Sequence, residues 1–133
     1  MITYFWIALG SALGGMARYA CSNLIADWFG GTFPWGTLMI NVLGSFVIGF
    51  FATLTGPDGR VLVPGDARQF VMVGLCGGYT TFSAFSLQTF DLLRAGAWGR
   101  ALVNVLMSVV LCLAAVAAGH LLALHGIRSG EEG

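Results

Sequence analysis

Between Gly77 and Phe85 the chain reads Gly-Gly-Tyr-Thr-Thr-Phe-Ser-Ala-Phe, inside an apolar segment running from about Phe70 to Leu93. Glycine costs roughly 1 kcal/mol against alanine in a helix interior, and β-branched threonine adds a smaller penalty. This run therefore predicts a break in an otherwise helical segment. Opened backbone at membrane depth persists only where protein buries it or an aqueous cavity meets it. Carbonyls freed by a break can bind a cation, and amides opening the second half-helix can face an anion. Phe82 and Phe85 follow at i and i+3, on one helical face. They are either two packing rings beside a kink or the lining of a site.

The remaining polar residues of the apolar segments are few and regularly spaced. Arg18 stands alone as a charge in the first segment. It either snorkels to a lipid headgroup or lines a vestibule and draws in anions. Thr37, Asn41 and Ser45 fall at i, i+4 and i+8 and share one face, as do Asn104, Ser108 and Cys112. Asn41 is costly in lipid without a partner. Its two readings are hydrogen bonding between helices and donation to a bound or passing anion. Packed together, the two stripes and the broken segment would enclose a narrow, weakly polar path. A hydrogen-bonded core with no path is the competing picture.

The elements that hold these residues follow from composition. Of 133 residues, 57% are hydrophobic and 9% charged, against roughly 25% charged in soluble domains. This predicts an all-α integral membrane protein with one domain over residues 1–133. Four spans are expected, at about 4–26, 33–54, 70–93 and 98–122, each near the ~20 residues that a bilayer core requires. The start lacks the basic region of a cleaved signal peptide, so it is read as the first span. Gly10 and Gly14 form a GxxxG pair that admits a close neighbour, and Gly44 and Gly49 thin the second span. Asp27–Thr32 reads as a turn, Gly56–Arg68 as the one sizeable loop, and Arg128–Gly133 as a charged, disordered tail. Trp6, Trp28, Trp35 and Trp98 sit near span ends, as an interfacial belt does.

Four spans put both termini and the 56–68 loop on one side, with Arg60, Arg68 and Arg128. Arg94 and Arg100 lie on the other. Such a small bias barely orients a chain. Two oppositely inserted copies could then pair about a two-fold axis, and four thin helices enclose a pore poorly by themselves.

Several function classes are excluded. No carboxylate lies in the middle of a span, Asp27 and Asp91 sitting at span ends, whereas coupled pumps rely on intramembrane acid or histidine relays. Cys21, Cys76 and Cys112 make neither a disulfide framework nor a metal motif, and His120 and His125 lack partners at ligand spacing and read as interfacial. No nucleotide loop, nucleophile elbow or zinc-protease motif is present, so the chain is not read as an enzyme. With zero net charge and no lysine, it has no nucleic-acid footprint. A passive conduit fits best.

The run Gly77–Phe85, with Gly-Gly-Met-Ala-Arg-Tyr at 14–19 and Trp-Gly-Thr-Leu-Met-Ile-Asn-Val-Leu-Gly-Ser-Phe at 35–46, resembles the Fluc (CrcB) family of bacterial fluoride channels. The resemblance covers all four spans in order. It implies an antiparallel, dual-topology homodimer in the bacterial inner membrane, with a third helix broken mid-membrane and two fluoride pores. Passive export would protect the cell from fluoride that enters as the neutral acid. It also implies a structural sodium ion at the dimer centre, held by the carbonyls of Gly77 and Thr80 from both subunits. Phe82, Phe85, Asn41 and Ser108 match the family's pore residues, and Arg18 its vestibule arginine. Thr81, Ser83 and Thr37 are further path-lining candidates. Phenyl edges are electropositive, so an anion can pass them without a fixed charge that would trap it, and conduction requires such weak binding. Two alternatives are a proton-coupled exporter like the small multidrug-resistance transporters, which use a first-span glutamate absent here, and a membrane assembly factor that moves no ion.

Overall fold

The structure is a computed structural model and describes residues 1–131. Among these residues every element is helical and there is no strand: α1 (Ile2–Phe29), α2 (Trp35–Leu54), α3 (Gly65–Gln69), a π-helical stretch (Phe70–Cys76), α4 (Gly77–Tyr79), α5 (Phe82–Arg94) and α6 (Trp98–Ser129). Three stretches are long and apolar enough to cross a membrane, Trp35–Leu54, Gly65–Arg94 and Trp98–Ser129. The chain is accordingly a multi-pass membrane protein. Helix α1 is as long as these, but Ser, Gly, Tyr and Arg residues dilute its apolar surface.

The helices overrun their expected ends. Helix α1 continues through Asp27 to Phe29 and stops at Gly30, whose φ of 77° suits glycine. Asp66 and Arg68, expected in the loop, belong to α3. Helix α6 runs to Ser129 and so takes in Arg128 of the expected disordered tail. Glu132 and Gly133 lie outside the described residues. Polar helix ends that project into the interface need no apolar pattern, which is why hydropathy underestimates their length.

Glycines let the backbones approach closely. A side chain on Gly10 would lie 2.9 Å from the Cα of Gly74, and one on Gly78 2.7 Å from the Ser11 carbonyl oxygen. The GxxxG pair of α1 thus seats the π-helical stretch and α4. On the other side Gly49 meets the backbone of Val116, and Gly119 that of Phe46 and Phe50, which locks α2 to α6. In lipid, such van der Waals contact between backbones supplies association that the hydrophobic effect does not. Helix α5 reaches α6 through Asn104, whose Nδ2 donates to Thr89 Oγ1 at 2.9 Å.

Two contacts tie the helices to the segment between α2 and the π-helical stretch. Thr3 Oγ1 donates to Asp66 Oδ1, and an Arg60 guanidinium nitrogen donates to the Gly126 carbonyl at 3.1 Å. His120, expected at the interface, has Nδ1 2.8 Å from Thr53 Oγ1.

Candidate functional site

The glycines of the 77–85 run are helical; the threonines are not. Tyr79 ends α4, and the backbone turns extended at Thr80 (φ −84°, ψ 158°) and Thr81 (φ −152°, ψ 114°). A side chain on Gly77 would meet only the Met72 carbonyl oxygen, at an ordinary 3.9 Å, so its role is not close packing. Upstream, the Phe70–Cys76 stretch is a π-helix, a rare form that is frequent at functional sites.

Two side-chain substitutions for backbone bonds explain how the chain leaves the helix. The Thr81 amide donates to Asn41 Oδ1 at 2.8 Å. The Ala84 amide donates to Thr81 Oγ1 at 3.1 Å, so Thr81 is the N-cap of α5. In a continuous α-helix those amides would bond the carbonyls four residues earlier, which are Gly77 and Thr80. These two carbonyls are therefore released from helical duty. The neighbouring carbonyls are held: Asn41 Nδ2 donates to Thr81 O at 3.0 Å and Arg18 Nε to Gly78 O at 3.1 Å. Thr80 stays tied upstream, its amide (3.0 Å) and its hydroxyl (2.8 Å) both donating to Cys76 O.

Beside this opened backbone lies a cavity of about 430 Å³. It is lined by Asn41, Gly77, Thr80, Thr81, Phe82, Phe85 and Ser108, together with Ser45 and Cys112. The rings of Phe82 and Phe85 have centroids 5.4 Å apart at 46°, which presents edges rather than one flat face. Ser108 Oγ is buried without a hydrogen-bond partner, so its hydroxyl is free to donate to a guest. Unsatisfied buried groups of this kind call for an explanation.

A second chamber of about 650 Å³ adjoins, lined by Arg18, Thr37, Ser22, Gln88 and Thr81. Thr81 is common to both cavities. The stripe Thr37–Asn41–Ser45 is thus divided: Asn41 and Ser45 face the first cavity, and Thr37 the second. One helical turn, ~5.4 Å of rise, separates Thr37 from Asn41, enough to pass from one chamber to the next. The stripe on α6 divides as well, since Asn104 is spent on Thr89 while Ser108 and Cys112 line the first cavity. Ser83 is exposed, its hydroxyl 3.3 Å from Thr81 Oγ1, and it lines neither chamber.

Sequence reasoning missed the Arg18 bond to Gly78 and the use of Asn41 as a stand-in for backbone. The capping role of Thr81 had a legible signal, a threonine opening the apolar α5. No sequence signal marked Arg18 as a carbonyl partner, because that contact joins residues 60 positions apart.

Residues 5–120 match the family described as CrcB-like protein, Camphor Resistance (CrcB). The chain belongs to the CrcB family. Its CrcB relatives include proteins named fluoride-specific ion channel FluC. One from Opitutus terrae is 61% identical over 97% of each chain. Another, from Rhodospirillum rubrum, is 61% identical over 90% of this chain and 92% of its own. A third, from Methylocella silvestris, is 58% identical over 91% of this chain and 92% of its own. The CrcB match spans every element from α1 to most of α6, so the opened backbone and both cavities lie inside the shared region.

Proposed function

We propose that this chain is a fluoride-selective passive channel that exports fluoride across the bacterial inner membrane. The observation that carries this reading is the composition of one cavity. An amide, an unpartnered hydroxyl and two phenyl rings converge there without a carboxylate, in a chain 61% identical to proteins named for fluoride. A small anion entering from the Arg18 chamber would exchange water for the Asn41 amide, the Ser108 hydroxyl and the electropositive edges of Phe82 and Phe85. Weak donors of this kind let the ion leave again. Thr81 and Thr37 line the approach, and Ser83 serves as a partner to Thr81.

The working unit is read as a dimer of oppositely oriented copies. Each copy has four spans: α1, α2, the Gly65–Arg94 segment interrupted at Thr80 and Thr81, and α6. Gly77 and Thr80 of each copy would together offer four backbone oxygens. The loss of helical donors from those two carbonyls supports this fit, because a hard cation such as sodium prefers oxygen ligands. Sodium, when bound, would supply a fixed positive charge that ties the copies together. Asn41 and Arg18 hold the adjacent carbonyls of Thr81 and Gly78 away from that duty.

The test is fluoride efflux from liposomes carrying the purified chain, followed with a fluoride electrode. Rapid fluoride release with chloride retained is the expected outcome. Equal passage of chloride, or flux that requires a proton gradient, overturns the reading.

A further inference from the structure

We infer that Asp91 and Arg94 set the rate at which anions enter the path, as opposed charges at its outer mouth. This rests on the channel reading above. A third cavity, of about 370 Å³, lies between the turn after α1, the start of α2 and the last turns of α5. It shares Ser22, Thr37 and Gln88 with the Arg18 chamber. The Arg18 chamber in turn shares Thr81 with the phenylalanine cavity. The three spaces therefore form a series from the bundle end inward, and the 370 Å³ cavity is the mouth.

Among the described residues Asp91 is the one charged side chain lining that mouth. A carboxylate there is the wrong sign for a conduit that takes anions, and it opposes the attraction of Arg18 farther in. Arg94 follows one turn later, with a guanidinium nitrogen 3.9 Å from Asp91 Oδ1. Both side chains are more than half exposed, at 71% for Arg94 and 57% for Asp91. An exposed pair of this kind contributes little to stability. Its effect is on the local potential, where a charge at the rim of a low-dielectric cleft changes the concentration of ions at the entrance. Arg94 masks Asp91 in part.

Entry is rate-limiting at low fluoride, so the measurement is initial fluoride efflux at subsaturating concentration, in vesicles of neutral lipid. At an ionic strength of about 10 mM, with a screening length near 30 Å, Asp91→Asn is expected to raise efflux roughly two- to fivefold for a charge a few ångströms from the ion in water. Arg94→Gln is expected to lower efflux by a similar factor. At about 1 M salt, where screening acts within ~3 Å, both differences should vanish. An Asp91→Asn variant with unaltered efflux at low salt overturns the inference. A change that persists at high salt does so too, since it marks altered packing and not charge. If the unmodified chain carries fluoride while the variants fail in these ways, the mouth assignment alone falls. If the unmodified chain carries none, the channel reading falls with it.

Discussion

Asn41→Asp separates the two duties that converge on this side chain. The amide donates to Thr81 O at 3.0 Å and accepts from Thr81 N at 2.8 Å. A carboxylate of the same shape keeps the second bond and loses the first, setting an oxygen against the Thr81 carbonyl. Losing that donor costs about 1–3 kcal/mol of stability, and an ionised carboxylate in this setting adds a desolvation cost. Asn41→Leu removes both bonds and strands both Thr81 groups, which costs about 1–3 kcal/mol for each group. Both variants are thus destabilised, and conduction tells them apart. A fixed negative charge ~4 Å from a passing anion, at an effective dielectric near 20, adds about 4 kcal/mol of repulsion, close to a thousandfold in rate. Leucine adds no charge. The assay pairs fluoride efflux per folded protein with resistance of the purified protein to thermal aggregation. Both variants should be less stable than the unmodified chain, and Asn41→Asp the poorer conductor of the two. Efflux through Asn41→Asp within about tenfold of the unmodified chain would refute the assignment of Asn41 to the anion path.

Two further outcomes follow from the same geometry. Phe82→Ile and Phe85→Ile each remove a ring from the pair whose centroids lie 5.4 Å apart. Each should slow efflux roughly tenfold, the equivalent of ~1.4 kcal/mol of barrier, with unchanged elution on size exclusion; normal flux through both variants would remove the rings from the path. Replacing sodium with choline on both sides of the vesicle should weaken efflux if Gly77 and Thr80 oxygens hold a cation, and fluoride release at the full rate in choline would dismiss that site.

The class of molecule was legible from composition alone. A chain with 9% charged residues and long apolar runs has no stable state in water, and in lipid its backbone must bond to itself, which selects helices. The sequence reading put its weight on the two glycines, whereas the extended backbone is at Thr80 and Thr81. Gly77 and Gly78 remain helical, and Gly78 serves close packing against Ser11. Thr80 and Thr81 leave the helix because their hydroxyls and the Asn41 amide offer the backbone other partners. Helix ends were read short wherever polar residues continued a helix beyond its apolar part, as at Asp27 and Arg128.

By itself the sequence determined which residues are polar in an apolar setting and which helical face each occupies. It also determined membership of the CrcB family, since the matching motifs are linear. Tertiary structure decided what each polar group does. Arg18 meets Gly78, Asn41 meets Thr81, Asn104 meets Thr89, and Ser108 meets no partner. Periodicity orients a residue around its own helix axis but carries no information on the depth or rotation of the neighbouring helix. Those are set by glycine contacts between backbones, and they alone distinguish a spent hydrogen-bond donor from one left free for an ion.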